Sequence, residues 1–333
     1  MIAIDEWIAS RPQCYERGEG FASVPTPGCV VEGGYRIVSL LGSGSMGIVF
    51  LAHDETLDRR VAIKFIHPNL VCTSSRERFI DEARAMARVR HASVIQIHAF
   101  GVHQDAPYIV MEFVDGCTLE QWLTNQHGPP DLDLALRILD EICLGVAAIH
   151  AQDTVHHDIK PSNILLDDRL RPRIADLGLA ALRRRDQPHH AELVGTPAYM
   201  APEVASWRKN DPALGARADV YSLACVSYEV LTGRLPFEGD GSMGMLLQHA
   251  MAPVPPPSDL RPGLPEHIDR ALLRALEKDP SARTSSVEVF RRELGGTRCR
   301  SGEPERILVA EDNDDSRETL RWMLGLAFPN AEL

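Results

Sequence analysis

Residues 156–166 read His-His-Asp-Ile-Lys-Pro-Ser-Asn-Ile-Leu-Leu, a stretch in which polar and apolar residues are sharply separated. Asp158, Lys160 and Asn163 place a carboxylate, an ammonium and an amide within six residues of one another. The apolar run that follows them is typical of a short buried strand. Carboxylate and amide oxygens suit hard cations such as Mg²⁺, and a compact ammonium suits an anionic group. The stretch is therefore a candidate for chemistry on a charged substrate.

A glycine-rich segment precedes this stretch by more than a hundred residues. Residues 41–49 read Leu-Gly-Ser-Gly-Ser-Met-Gly-Ile-Val, with Gly42, Gly44 and Gly47 in the G-x-G-x-x-G spacing. Such glycines let backbone amides approach a phosphate without obstruction by a Cβ atom. Dinucleotide-binding loops share the spacing but open a helix, whereas residues 48–54 are β-branched and strand-like. No lysine follows a glycine, which excludes a Walker A loop.

Lysine is scarce in this chain, so the positions that keep it are informative. Only four of the 35 basic residues are lysine, and two of them are Lys64 and Lys160. Lys64 ends a Val-Ala-Ile-Lys run on the next predicted strand, and Glu82 lies in the helix predicted after it, over residues 76–90. A Lys64–Glu82 ion pair would hold the ammonium where it can bind the α- and β-phosphates of a nucleotide. The alternative for Glu82 is a solvated carboxylate on the helix surface.

Two further motifs complete the set, Asp-Leu-Gly at residues 176–178 and Ala-Pro-Glu at residues 201–203. In this order, the motifs resemble the eukaryotic-type protein kinase family over residues 35–294. The resemblance implies a bilobal α+β fold, with an antiparallel sheet and one main helix in the small lobe (35–114) and a mostly helical large lobe (115–294). Lys160, together with Gly195-Thr196, is similar to the serine/threonine branch as found in bacteria. We therefore expect phosphoryl transfer from ATP to protein Ser and Thr hydroxyls.

The resemblance also implies a role for each matching residue. Asp158 would orient the substrate hydroxyl, Lys160 would neutralise charge on the γ-phosphoryl group, and Asn163 and Asp176 would bind Mg²⁺, which Mn²⁺ could replace. Met111 matches the gatekeeper position and residues 112–114 the hinge. The full set of residues expected around the nucleotide is Leu41, Gly42, Ser43, Gly44, Ser45, Met46, Gly47, Ile48, Val49, Ala62, Lys64, Glu82, Met111, Glu112, Val114 and Leu165. Ordinary core packing is equally compatible with the apolar members.

The chain departs from the family pattern in the segment after Asp176. His157 stands where many members have Arg, which receives a phosphate from that segment. Residues 177–194 contain no Ser, Thr or Tyr. We hypothesise that activity does not depend on phosphorylation within these residues. The alternative is that His157 is a neutral variation. Glu203 and Arg283 match a buried ion pair of the large lobe, and Asp219 matches an acid that supports the catalytic loop.

Composition limits the classes of partner. The 333 residues carry a net charge of −12, which argues against a nucleic-acid-binding surface. No apolar run is long enough to span a bilayer, and the first ten residues lack the charge pattern of a signal peptide. Seven scattered cysteines suggest neither a zinc site nor a disulfide framework. We therefore expect a cytoplasmic protein.

The two ends of the chain differ from its middle. Residues 1–34 are expected to form a poorly ordered leader, and residues 295–305 a linker. Residues 306–333 resemble the opening β–α unit of a bacterial response-regulator receiver domain, with Glu311 and Asp312 as the metal-binding acids. This fragment is either truncated or a vestige, and it suggests two-component signalling partners. The kinase resemblance leaves a homodimer open.

Two other functions compete with an active protein kinase. One is a pseudokinase that binds nucleotide as a scaffold, which the intact Lys64, Asp158, Asn163 and Asp176 argue against. The other is a kinase of the same fold that acts on small molecules. The Ala-Pro-Glu and Gly-Thr-Pro-x-Tyr motifs favour protein substrates instead.

Overall fold

A computed structural model describes residues 25–44, 47–66, 87–103, 106–176, 197–205 and 212–295. Apart from residue 295, they belong to a compact unit that comprises residues 1–294. The helix expected at residues 76–90 lies mostly outside the described residues, as do the segment 177–196 and the receiver-like residues 306–333. Within the described residues, no helix is both long and apolar enough to cross a membrane.

A six-stranded antiparallel sheet forms the small lobe, in the order β1-β2-β3-β4-β6-β5. Its strands are β1 Val30–Val31, β2 Tyr35–Gly44, β3 Gly47–Asp54, β4 Arg59–Ile66, β5 Ile97–His103 and β6 Ala106–Glu112. Side chains of a strand alternate between its two faces, so β-branched and aromatic residues at every second position build one core. Phe50 and Phe65 belong to this core and meet edge to face, with ring centroids 6.0 Å apart.

The sheet begins earlier than the sequence predicts. Val30 and Val31, placed in the expected leader, pair with Arg36 and Tyr35. Gly28 N–H donates to Ile37 O over 2.8 Å, which extends the attachment by two residues. A two-residue strand has no periodicity of its own, so only its pairing with β2 identifies it.

Helices dominate the large lobe, as expected from their patterns. In the described residues they are α1 Leu119–Thr124, α2 Leu132–His150, α3 Pro202–Ala205, α4 Pro212–Thr232, α5 Gly241–Met251, α6 Pro257–Leu260, α7 Glu266–Ala275 and α8 Val287–Glu293. Helix α2 illustrates how capping and the spacing of apolar residues form these helices. Asp131 caps it by accepting from the N–H groups of Asp133 and Leu134, and Ala135, Ile138, Leu139 and Ile142 bury one face at helical spacing.

A second, smaller sheet lies next to the loop that carries Asp158, Lys160 and Asn163. It joins β7 Gly116–Thr118, β8 Ile164–Asp167 and β9 Pro172–Ile174 in that order. The 3-10 turn Pro161–Asn163 runs directly into β8. Backbone hydrogen bonds connect β9 to residues that precede β5, from Ile174 N–H to Ser93 O (2.8 Å) and from Ile95 N–H to Ile174 O (2.9 Å). The two lobes are thus joined by main-chain contacts beside the hinge.

The proline-rich residues 253–265 contain one helical turn, α6. Ser258 N–H donates to Asp269 over 3.0 Å, and the Ser258 hydroxyl bonds to the same carboxylate. This contact from α7 fixes the turn, so tertiary structure rather than local pattern creates the helix. The described elements confirm the expected α+β bilobal architecture, with a sheet-based small lobe and a helical large lobe.

Candidate active site

The loop between α2 and β8 brings Asp158, Lys160 and Asn163 together. Lys160 Nζ lies 2.8 Å from Asp158 Oδ2. The Asn163 amide donates to the same oxygen over 3.0 Å and to the Asp158 carbonyl over 2.8 Å. Because the amide nitrogen makes both bonds, Asn163 Oδ1 is left as an acceptor on the other side of the group. The Asp158 carboxylate is thereby oriented, with one oxygen held by two donors.

Asp219 of helix α4 fixes the backbone of this loop. Its carboxylate accepts the N–H groups of His156 and His157, each over 2.8 Å, and the ring of His150 over 2.8 Å. Burial raises the pKa of Asp219, but the hydrogen bond and charge of His150 and the nearby rings of His157 and His156 outweigh it and lower the pKa below its ordinary value. The described structure therefore confirms that Asp219 supports the loop. His157 adopts a φ of 66°, a left-handed conformation that these two N–H bonds help to hold.

His156 links the loop to the strand that leads to Asp176. Its Nδ1 accepts the N–H of Asp158 over 3.2 Å. An imidazole nitrogen that accepts carries no proton in the neutral ring, so Nε2 is the protonated atom and donates to Ala175 O over 2.9 Å. The buried His156 ring thus couples the positions of Asp158 and Asp176.

Lys64 reaches across the cleft between the lobes to Asp176. Its Nζ lies 2.6 Å from Asp176 Oδ1, and the lysine is 4% exposed. Burial raises the pKa of Asp176, but the charge of Lys64 and its hydrogen bond lower it further than burial raises it. Asp176 has a φ of 60°, a rare conformation for a non-glycine residue. Glu82, the expected partner of Lys64, lies outside the described residues.

The glycine-rich segment forms the end of the β2–β3 hairpin. Gly42 pairs with Val49, and Gly44 pairs with Gly47. A Cβ on Gly47 would lie 1.9 Å from Phe65 O, so packing within the sheet already requires glycine there. A Cβ on Gly42 or Gly44 would meet nothing within 4 Å. Packing within the protein therefore does not require glycine at these two positions. The open space beside them would admit a phosphate. Ser43 pairs with Ile48, while Ser45 and Met46 lie outside the described residues.

The apolar residues predicted around the nucleotide form a separate cluster next to the hinge. Ala62 and Met111 are buried there, and Val49, Val114 and Leu165 pack against them half-buried. Ile95 and Ala175 also belong to the cluster, although neither is predicted from the sequence. Ala175 directly precedes Asp176, so its place in the motif is the signal that could have identified it.

Ile48 is placed differently from the sequence prediction. It is 3% exposed and packs in the small-lobe core with Phe50 and Phe65, on the face opposite Val49. Neighbouring residues of a strand point to opposite faces, so Val49 and Ile48 cannot both line the cluster. Leu41 lies outside the cluster and exposes 46% of its surface.

The hinge begins at Glu112, the last residue of β6. Its N–H donates to Gln96 O over 2.9 Å, so this donor is already used within the protein. Among the described residues, no hydrogen bond involves the backbone of Val114. Val114 N–H is therefore a donor that the hinge can offer to a ligand.

The predicted ion pair of the large lobe is confirmed. Arg283 Nη1 lies 2.7 Å from Glu203 Oε1, and Nη2 lies 3.0 Å from Oε2. The arginine is 2% exposed and is also bonded to Arg217 O. This bidentate pair connects α3, which follows the segment 177–196, to the helical core.

Comparison with known proteins agrees with this geometry. A family model described as "Protein kinase domain" matches residues 35–294. The chain is 36% identical over 269 residues to the serine/threonine-protein kinase Pkn1 of Myxococcus xanthus, covering 79% of this chain and 38% of that protein. It is 34% identical over 260 residues to the serine/threonine-protein kinase PrkC of Bacillus subtilis, covering 78% of this chain and 39% of that protein. The chain thus spans about two fifths of the length of these relatives.

A solved structure extends the agreement to three dimensions. The crystal structure of the Mycobacterium tuberculosis PknI kinase domain superposes with a TM-score of 0.65 at 25% identity. The superposition covers 82% of this chain and 99% of that one.

Proposed function

The chain belongs to the protein kinase family, and from that membership we propose that it transfers the γ-phosphoryl group of ATP to Ser and Thr hydroxyls of proteins. One observation carries the proposal. Asp158 is held by Lys160 and Asn163, and the same loop is coupled through His156 to the strand of Asp176. The polar groups assigned to the transfer step, Asp158, Lys160, Asn163 and Asp176, thus lie together in the described part of the chain, which supports the proposal.

Each of these residues has its own role in an in-line transfer. The free oxygen of Asp158 accepts a hydrogen bond from the substrate hydroxyl and takes its proton as the new P–O bond forms. Lys160, 2.8 Å from Asp158, neutralises charge that develops on the transferred group. Lys64 binds the non-transferred phosphates, and the open sides of Gly42 and Gly44 admit them to the hairpin backbone. The apolar cluster at the hinge packs against the adenine. ADP is the leaving group, and its terminal oxygen keeps the electron pair of the broken P–O bond.

The donor set fits a divalent metal ion. Asn163 Oδ1 is free because the amide nitrogen makes both hydrogen bonds, and the lowered pKa of Asp176 keeps its carboxylate ionised. Carboxylate and amide oxygens are the ligands that Mg²⁺ prefers, and Mn²⁺ accepts the same set. When bound, the metal ion supplies charge neutralisation to the phosphates. Asn163 and Asp176 would hold it.

The pseudokinase alternative is not favoured. The relatives that match this chain are described as serine/threonine-protein kinases, and the polar residues of the site are intact. A scaffold that only bound nucleotide would have no use for Asp158 held beside Lys160 and Asn163.

The arrangement of the whole chain is a further part of the proposal. We place the kinase domain at residues 35–294, with Val30 and Val31 joined to its sheet from the preceding residues and a linker following at 295–305. Residues 306–333 would be the start of a receiver, which would connect this kinase to two-component partners. Cytoplasmic location follows from the composition. Independence from phosphorylation within residues 177–194 follows from the lack of hydroxyl side chains there.

The test is transfer of labelled γ-phosphate by the purified chain to itself and to a generic basic protein. Acid-stable label on Ser or Thr supports the proposal, provided that the Asp158→Asn variant loses it. Asp168→Asn is the matched control, because Asp168 is exposed and lies ten residues further along. Nucleotide binding without transfer in the native chain would instead support the scaffold.

A further inference from the structure

Arg173 lies three residues before Asp176, outside the groups used above. It sits in the middle of β9, where its backbone pairs with that of Leu165, the residue that forms the large-lobe side of the apolar cluster. Its side chain runs toward the hinge. Arg173 Nε lies 3.6 Å from Glu112 Oε1, and the guanidinium Nη2 lies 3.9 Å from Asp167 Oδ2.

This contact crosses from one lobe to the other. Glu112 is the last residue of the small-lobe sheet, whereas Arg173 belongs to the sheet of the large lobe. The other oxygen of Glu112 accepts the N–H of Gln96 over 3.4 Å, next to the main-chain bonds between Ile174 and residues 93–95. A single arginine therefore connects the hinge to the strand on which the cluster rests.

We infer that Arg173 is a positioning residue for adenine, which it serves by holding the hinge at a fixed distance from Leu165. The inference rests on the proposed function and names a residue that sequence motifs do not mark. Arg173 acts through Glu112 and Leu165 and touches no nucleotide atom itself. The adenine needs both the hinge backbone and the apolar face of Leu165, and their separation decides whether one ring can use both.

Burial distinguishes this ion pair from the other one at the hinge. Arg60 contacts the residue that follows the hinge, with Nη2 2.9 Å from Asp115 Oδ2, but its side chain is 57% exposed and that of Asp115 is 75% exposed. The Arg173 side chain is 16% exposed and that of Glu112 is 36% exposed. Water and salt screen exposed pairs strongly and partly buried pairs less. The Arg173 pair is therefore the less screened of the two, and it is the one on the large-lobe side.

The planar guanidinium suits this task better than an ammonium would. It faces Glu112 and Asp167 with different nitrogens, so the position of one acid limits the position of the other. Asp167 is itself fixed, since it accepts the N–H groups of Arg169 and Arg171, each over 2.9 Å, and Arg171 Nε over 2.8 Å. Arg173 thus connects the hinge to a turn of the large lobe that hydrogen bonds hold in place.

The experiment measures adenosine binding by calorimetry and, separately, kcat at saturating Mg-ATP. Arg173→Met should weaken adenosine binding about threefold to tenfold, the size of a partly buried charge contact, while kcat changes less than about twofold. Arg173→Lys should restore part of the affinity, because an ammonium can still pair with Glu112. Arg169→Met is the matched control: it removes an exposed arginine side chain from the same turn, where only the main-chain N–H of Arg169 contacts Asp167, and it should bind adenosine as the native chain does.

A double-mutant cycle assigns the effect to the pair. Glu112→Gln should weaken adenosine binding to a similar degree, and combining it with Arg173→Met should add little, because one contact is lost in all three variants. Unchanged adenosine affinity in Arg173→Met would overturn the inference. So would a loss of kcat equal to the loss of affinity, or an equal effect of Arg169→Met, since either points to general destabilisation. A native chain that binds neither adenosine nor Mg-ATP would instead overturn the proposed function itself.

Discussion

Lys64 Nζ and Asp176 Oδ1 lie 2.6 Å apart although 112 residues separate them in the chain. The contact joins the central strand of the small lobe to the end of β9 in the large lobe. Its ammonium is buried, so the pair is less screened than a surface ion pair. This short contact therefore links the small lobe directly to the large lobe.

Loss of this ammonium should disable the enzyme without unfolding it. Lys64→Met keeps the length of the side chain but removes the charge that pairs with Asp176 and that, in the proposed function, binds phosphate. We expect kcat/KM for ATP to fall about 10²-fold or more, the scale of one lost charge-stabilising donor. Arg59→Met is the matched control, because Arg59 pairs with buried Asp54 in the same sheet, away from the site. Equal losses in both variants would contradict a specific role for Lys64.

The glycines of the hairpin should separate into two classes. Gly47→Ala places a Cβ 1.9 Å from Phe65 O at a φ of 148°, so it should lower the thermal midpoint of unfolding markedly. Gly42→Ala places its Cβ in open space and should leave that midpoint unchanged. If phosphates occupy that space, the same substitution should raise KM for ATP several-fold. Calorimetric melting and ATP titration of both variants test the distinction, and an unaltered KM in Gly42→Ala would argue against a phosphate at that position.

Asp219 should make stability depend on pH in the acid range. Its pKa is lowered in the folded protein from an ordinary value of 3.8, because three donors favour the charged form despite burial. A lowered carboxyl pKa contributes stability that is complete above the unfolded value and is lost as the pH falls through the folded value. Asp219→Asn should cost about 2–4 kcal/mol at pH 7, and less at pH 3, because pH 3 lies below the ordinary value of 3.8 at which the loss begins. Urea unfolding at both pH values measures this, and a pH-independent cost would contradict the assignment.

How far the sequence predicts the site depends on whether the chemistry is local. Asp158, Lys160 and Asn163 act within one loop of six residues, so their spacing alone predicts that they meet. The strand-like residues 48–54 and the Val-Ala-Ile-Lys run that ends at Lys64 likewise predict two strands, which the structure places at residues 47–54 and 59–66. Periodicity is a property of the chain itself and needs no knowledge of its partners.

Features that depend on partners distant in sequence are the ones that sequence reasoning missed. Ile95 joins the apolar cluster, and Ile48 does not, because register decides which face of a strand points at the hinge. β1 exists only through its pairing with β2. The contact between Arg173 and Glu112 depends on the packing of two sheets, and neither residue carries a local signal of it.

The buried ammonium of Lys278 supplies a prediction at alkaline pH. Its Nζ has no hydrogen-bond partner among the described residues and lies 4.1 Å from the centroid of the Phe237 ring. Burial lowers the pKa of Lys278 to about 8, and the charge of Arg283 acts in the same direction, although Cys225 opposes it. The ring thus compensates only part of the cost of removing this charge from water.

The direction in which stability changes with pH follows from the protonation of Lys278 in the folded and unfolded chains. Between about pH 8 and the ordinary value of 10.5, the unfolded chain holds a proton at Lys278 that the folded chain has lost. Stability therefore rises with pH across this window, and below pH 8 the full cost of the buried charge remains. Lys278→Met keeps the contact with Phe237 without the charge, so it should be more stable than the native chain at pH 7. That advantage should shrink as the pH approaches 10. Other groups that titrate in this range do so in both proteins and cancel in the difference between their urea midpoints. A variant less stable at pH 7 would show that the ring holds the ammonium more strongly than burial penalises it.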